Sequence, residues 1–174
     1  MISPDHVRAF ARYNLWQNAS LYREAEALGE VERRLPRGAF FSTIHATLNH
    51  LLWADQIWMH RFAGTPKPEG GIKQSAWLHA EWADLAAGRR QFDQVVLTWA
   101  DGLDAGWLGG DMTWFSGAQG RDVSKPRWLL VAHMFNHQTH HRGQIHAMLT
   151  AAGGRPDDTD LPFMPAEWAE ASPA

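Results

Sequence analysis

Cysteine is absent from this 174-residue chain, and that absence closes several routes at once. No disulfide can staple the fold, no thiolate can ligate a metal, and no cysteine can act as a nucleophile. Any bound metal must be held through nitrogen or oxygen. Long apolar runs are missing as well. No stretch approaches the roughly 18 consecutive apolar residues of a membrane span, so no membrane partner is expected. There is no cluster of Lys and Arg, and the formal net charge is −3, which argues against a nucleic-acid partner. Met1-Ile2-Ser3-Pro4-Asp5 lacks the basic segment and apolar run of a secretory signal, and a cytoplasmic location is the expectation. Several catalytic signatures are absent too: there is no phosphate-binding Gly-x-x-x-x-Gly-Lys loop, no Gly-x-Ser-x-Gly elbow and no Glu-x-x-His.

What is present is ordinary in bulk and unusual in detail. Hydrophobic residues make up 45% and charged residues 20%, as in a globular protein, and the length suits one domain over residues 1–174. Ten tryptophans point to wide packing surfaces, including a subunit interface. Of ten histidines, five fall between His133 and His146.

Apolar periodicity marks four long helices. Ser3 and Pro4 open the first, which carries Val7, Phe10, Ala11, Leu21, Tyr22, Ala25 and Leu28 on one face. Asn14 and Asn18 share that face, as core amides bonded to nearby backbone or as the lining of a polar pocket. Glu30 to Gly38 reads as a linker. Ser42 is the expected cap of a second helix ending near Phe62, and Ser75 of a third ending near Trp99. Asp101 to Lys125 holds six glycines, and its alternation predicts a short hairpin with strands around Met112–Phe115 and Arg121–Ser124. The last helix starts near Ser124 or Pro126 and stops at Gly153-Gly154. The tail from Asp157 is expected to dock through Leu161-Pro162-Phe163-Met164 and to end in a short helix around Glu167-Trp168. The class is therefore all-α: a four-helix bundle with a glycine-rich hairpin or loop before its last long helix.

On that last helix, angular position sorts the histidines. His137 and His141, one turn apart, point into the apolar face with Leu130, Val131, Met134, Ile145, Met148 and Leu149. His133 and Gln144 lie at its margin, His140 further round, and His146 points away. On the second helix two residues break an apolar pattern: Asp55, in the middle of the strongest apolar face, and His50, at the edge of the wider arc. His137 and His141 can aim two nitrogens at one point, and a third ligand from another helix would leave a position open for water. Zinc and nickel both suit imidazole. A packed or exposed histidine cluster without metal would show the same His-x-x-x-His spacing. Arg142 reads as a surface or interface ion-pair residue, with a hold on an anionic substrate group as the alternative.

Three stretches carry a resemblance. Tyr13-Asn14-Leu15-Trp16-Gln17-Asn18, Leu48-Asn49-His50-Leu51-Leu52-Trp53-Ala54-Asp55 and Asn136-His137-Gln138-Thr139-His140-His141-Arg142-Gly143-Gln144 resemble the hallmarks of the DinB family. This is the damage-inducible metalloprotein family, distinct from the lesion-bypass polymerase of the same name. Thr159-Asp160-Leu161-Pro162-Phe163-Met164 is similar to its usual C-terminal stretch. The resemblance implies a four-helix bundle, commonly a homodimer, with zinc or nickel held by His50, His137 and His141. It also implies a distant relation to transferases and isomerases that use a low-molecular-weight thiol as cosubstrate. Asp55, His133 and Gln144 are candidates for contacting the ligands from behind. The expected function is a metal-dependent hydrolase or thiol-dependent transferase. A non-catalytic metal-binding stress protein and a metal-free helical interaction module are the alternatives.

Overall fold

The structure, a computed structural model, describes residues 1–117 and 119–170. Ala118, within the expected hairpin turn, and the end of the expected tail at 171–174 lie outside the described residues. The chain is mostly helical. Helix α1 spans Pro4–Arg34. Ser3 caps it, its hydroxyl accepting from the His6 amide at 3.2 Å. The helix outlasts its expected end at Leu28 because Gly29 (φ 80°, ψ 169°) kinks it without ending it. The kink frees the Ala25 and Glu26 carbonyls, which accept from the Arg33 guanidinium at 2.9 and 3.2 Å. Glu30 to Arg34, expected as linker, is therefore helical.

Helix α2 spans Ile44–Ala63 and is capped by Thr43, whose hydroxyl accepts from the Ala46 amide at 3.0 Å. Ser42, the expected cap, sits instead at φ 68°, where the Thr43 amide donates back to the Phe41 carbonyl at 2.8 Å. That is a tight, strained turn for a residue with a side chain. Helix α3 spans Trp82–Asp101, later than expected, and Ser75–Trp77 forms only a 3-10 turn. Buried α2 side chains hold the approach to α3 in place. Asn49 accepts from the His79 amide at 2.7 Å, while Asn49 and His45 both reach the His79 carbonyl, at 3.2 and 3.0 Å. With those backbone groups satisfied, the helix has no need to begin earlier.

After α3 comes a one-turn helix, α4 (Ala105–Leu108), capped by Asp104; nothing in the apolar spacing marks it. Strands β1 (Asp111–Ser116) and β2 (Arg121–Pro126) then pair antiparallel, with Trp114 opposite Val123, as the alternation predicts. Helix α5 spans Arg127–Ala151.

The core forms two apolar clusters. One joins Val7 and Ala11 of α1, Trp58 and Phe62 of α2, Val96 and Leu97 of α3, and Leu130 and Met134 of α5. The other joins Leu21 and Ala25, Leu48 and Leu52, Leu85, and Ile145 and Leu149. Each of these four helices contributes one stretch to each cluster, so α1 and α5 run one way while α2 and α3 run the other. The long connection from Ala63 to Trp82 follows from that order, because parallel neighbours need a crossover.

The tail does not dock as expected. Leu161 and Phe163 are exposed, Phe163 by 69%. The attachment is polar: Tyr13 donates to the Thr159 carbonyl and Gln17 to the Asp158 carbonyl, both at 2.7 Å, and Ser20 accepts from the Asp157 amide at 2.7 Å. A short 3-10 turn (Leu161–Phe163) and a final turn of helix, α6 (Ala166–Ala169), follow; α6 covers the expected Glu167-Trp168.

Candidate metal centre

The seam between α2 and α5 brings His50, His137 and His141 together, each offering a nitrogen within 4.8 Å of the others. The Nε2 of His137 lies 3.4 Å from that of His50 and 3.1 Å from that of His141. A zinc–imidazole distance of about 2.0–2.1 Å with tetrahedral angles separates ligand nitrogens by about 3.3 Å. The donor set thus has the chemistry of a three-imidazole metal site, and both separations from His137 have its spacing.

For His50 and His141 the other ring nitrogen explains why these atoms face inward. The Nδ1 of His50 lies 2.7 Å from the Ser75 hydroxyl, which itself donates to the Ile72 carbonyl at 2.7 Å. Ser75 has its proton committed and can only accept, so Nδ1 of His50 carries the hydrogen and Nε2 the lone pair. The Nδ1 of His141 donates to Gln144 Oε1 at 2.8 Å, with the same consequence. Burial, with the neighbouring His141, pushes His50 down to about 4, and burial with the surrounding histidines pushes His137 to about 3. His141 is lowered chiefly by burial, partly offset by Gln144. At neutral pH all three are uncharged, the form that ligates metal.

Phe41 closes one side. Its ring stacks on His50 at 4.0 Å and lies 5.6 Å from His141, held there by the strained turn at Ser42. His137 is half-buried, beside exposed His133 and His140.

The profile of the DinB family matches residues 3–171. The chain belongs to the DinB family. Its helical fold is similar to the crystal structure of a DinB-like protein from Bacillus cereus ATCC 10987, with 19% identity, a TM-score of 0.59, and coverage of 82% of this chain and 90% of that one. No curated protein matches the chain.

Within this DinB-family chain the three candidates for supporting the ligands fare differently. Gln144 bonds His141 directly. His133 sits with its ring 5.9 Å from that of His137 and 5.3 Å from that of Trp58, a neighbour with no hydrogen bond to a ligand. Asp55, 1% exposed, spends both oxygens elsewhere, on Arg89 at 2.6 Å and Gln138 at 2.7 Å. It belongs to a polar layer between the two apolar clusters. There Arg89 also pairs with Asp93 at 2.8 Å, Asn18 donates to Asp93 at 2.9 Å, and Asn14 bonds both Gln138 and Arg142. Asn14 and Asn18 thus find side chains, not the expected backbone. Arg142 is buried with amide and hydroxyl partners, not in the expected surface ion pair. Burial raises Asp55, and raises Asp93 to about 6, despite the opposing pull of Arg89. Phe41, Arg89 and Asp93 carry no signal in the spacing of the sequence, Ser75 signals only a helix cap, and Gln138 carries only its place beside His137.

Proposed function

We propose that this DinB-family chain is a metal-dependent enzyme of hydrolase or thiol-dependent transferase type. Zinc or nickel is held by Nε2 of His50, His137 and His141 within a four-helix bundle. The observation that carries the reading is the convergence of three imidazole Nε2 atoms, with the opposite nitrogens of His50 and His141 tied by Ser75 and Gln144. Neutral imidazoles packed lone pair to lone pair gain nothing without a cation or proton between them, and the lowered proton affinity of these rings favours the cation. Bound there, the metal supplies Lewis acidity that activates water or a thiol.

The chain's own residues do the rest. Ser75 and Gln144 fix ring orientation, Phe41 keeps bulk water from one side of His50 and His141, and half-buried His137 leaves approach from the other. The family resemblance supports a low-molecular-weight thiol as cosubstrate and a homodimer as the working unit. Exposed Phe40 (82%) and Phe163 (69%) supply apolar surface for that contact. Metal analysis of untagged protein tests the site: close to one zinc or nickel per chain, lost in His137→Ala and in His141→Ala. Stoichiometric metal surviving both changes overturns the ligand assignment. A cobalt-loaded sample whose spectrum ignores every small thiol and azide would point to the non-catalytic metal protein instead. A monomer mass by light scattering refutes the homodimer.

A further inference from the structure

The α2–α5 seam continues past the histidines toward the hairpin, and its far end carries a cation. The Arg61 guanidinium lies over the Trp58 ring at 4.6 Å and near the Trp114 ring of β1 at 5.6 Å. The Trp58 ring is 5.3 Å from that of His133, which is 5.9 Å from that of His137. A line of rings therefore connects the metal centre to Arg61. Helical side chains lean toward the N-terminus of their helix, and Arg61, stacked on the residue three positions earlier, leans toward His50.

Among the described residues no carboxylate pairs with Arg61, although nine ion pairs form elsewhere. Its proton affinity is drawn down by burial with no acid to offset it. The region is not sealed: His133 is exposed, while Arg61 and Trp114 are half-buried. A guanidinium stacked on a ring keeps its N–H groups in its own plane, directed past the ring edge. That arrangement presents a fork to a planar oxyanion.

We propose that Arg61 binds the oxyanion end, carboxylate in class, of a substrate whose reacting end lies at the histidine centre. An apolar stretch between the two ends runs past exposed His133, whose ring lies against that of buried Trp58. The hairpin takes part in this recognition by placing Trp114 against Arg61. This assignment rests on the metal reading above for the position of the reacting end, but not for the anion site itself.

The test uses paired probes, 6-mercaptohexanoate and 6-mercaptohexanol, which share a thiol and chain and differ only at the far end. They are titrated into cobalt-loaded protein, followed by the sulfur-to-cobalt absorption band, and into metal-free protein, followed by tryptophan emission. The carboxylate binds about tenfold or more tightly than the alcohol in wild type. Arg61→Gln brings that ratio to about one without changing metal content or affinity for the alcohol, and Arg61→Lys keeps part of it. Shorter 3-mercaptopropionate shows less preference over 2-mercaptoethanol, because its carboxylate cannot span the seam. An equal affinity for both six-carbon probes in wild type, or a preference that survives Arg61→Gln, overturns the proposal. Failure of the metal reading is visible separately: no thiol produces the cobalt band, while a carboxylate preference in metal-free protein still reports Arg61.

Discussion

Replacing Ser75 with alanine is the sharpest probe of how the centre is held. Ser75 is fully buried and its oxygen serves two bonds of 2.7 Å, one accepted from His50 and one donated to Ile72. Removing it strands the Nδ1 hydrogen of His50 and the Ile72 carbonyl. An unpartnered buried group costs about 1–3 kcal/mol, so metal-free Ser75→Ala should unfold at lower urea by about that amount. The second effect is on the metal. Without its acceptor, His50 is free to take either tautomer and to turn its ring, and losing such an outer partner weakens metal binding about 10- to 100-fold. That corresponds to about 1.4–2.8 kcal/mol. Gln144→Ala makes the matched control. It removes the equivalent bond from His141, but Gln144 is half-buried, so water can take its place and the loss should fall below about tenfold. Competition against a chromophoric chelator measures both affinities, and urea unfolding of the metal-free proteins separates stability from binding. Ser75→Ala binding zinc within about twofold of wild type, or Gln144→Ala proving the weaker of the two, would refute the reasoning.

Three further outcomes follow from the same geometry. His50 and His137 are lowered to about 4 and 3 from an unfolded value of about 6.5, so the unfolded chain binds protons that the folded one refuses. Asp93, raised to about 6, takes up a proton in the fold and opposes this in part, but two histidines outweigh one acid. Metal-free protein should therefore lose stability as pH falls from about 6.5 toward 4, as measured by urea midpoints across that range, while metal affinity stays nearly flat between pH 8 and 6. Arg89→Met leaves Asp55 and Asp93 buried without their shared partner and should cost about 3–5 kcal/mol of stability by chemical unfolding. Tyr13→Phe deletes the 2.7 Å bond to the Thr159 carbonyl, at about 0.5–1.5 kcal/mol; limited proteolysis should then cut after α5 faster than in wild type.

The sequence was most readable where a residue's direction alone decides its role. His137 and His141 separate from His140 and His146 by angle on one helix, and the structure places them accordingly. The strand alternation of Met112–Phe115 likewise pairs as expected. Illegible parts depend on partners far along the chain. Ser75 looks like a helix cap because Ser before an apolar run usually is one; its acceptor role exists only because the loop returns it to His50. Asp55 looks like support for a histidine because both lie on α2, yet Arg89 of α3 claims it. The tail motif reads as an apolar clasp, but Tyr13, Gln17 and Ser20 hold its backbone and leave Leu161 and Phe163 outside. Gly29 would ordinarily end a helix, and only the rescue of two carbonyls by Arg33 lets α1 resume.

The polar layer across the middle of the helices has a consequence for how this scaffold can change. It contains two acids, Asp55 and Asp93, and two guanidiniums, Arg89 and Arg142, so its formal charges cancel. Altering any one of the four leaves an odd charge in a dry interior. Altering an acid and a base together removes the imbalance, and such double replacements by apolar residues are often tolerated. The four positions are therefore bound to vary in company, with large non-additive energies between them. Drift at Arg142, next in sequence to His141, would be checked by Asp55 of α2 and by Arg89 and Asp93 of α3, charged groups that lie outside the histidine cluster.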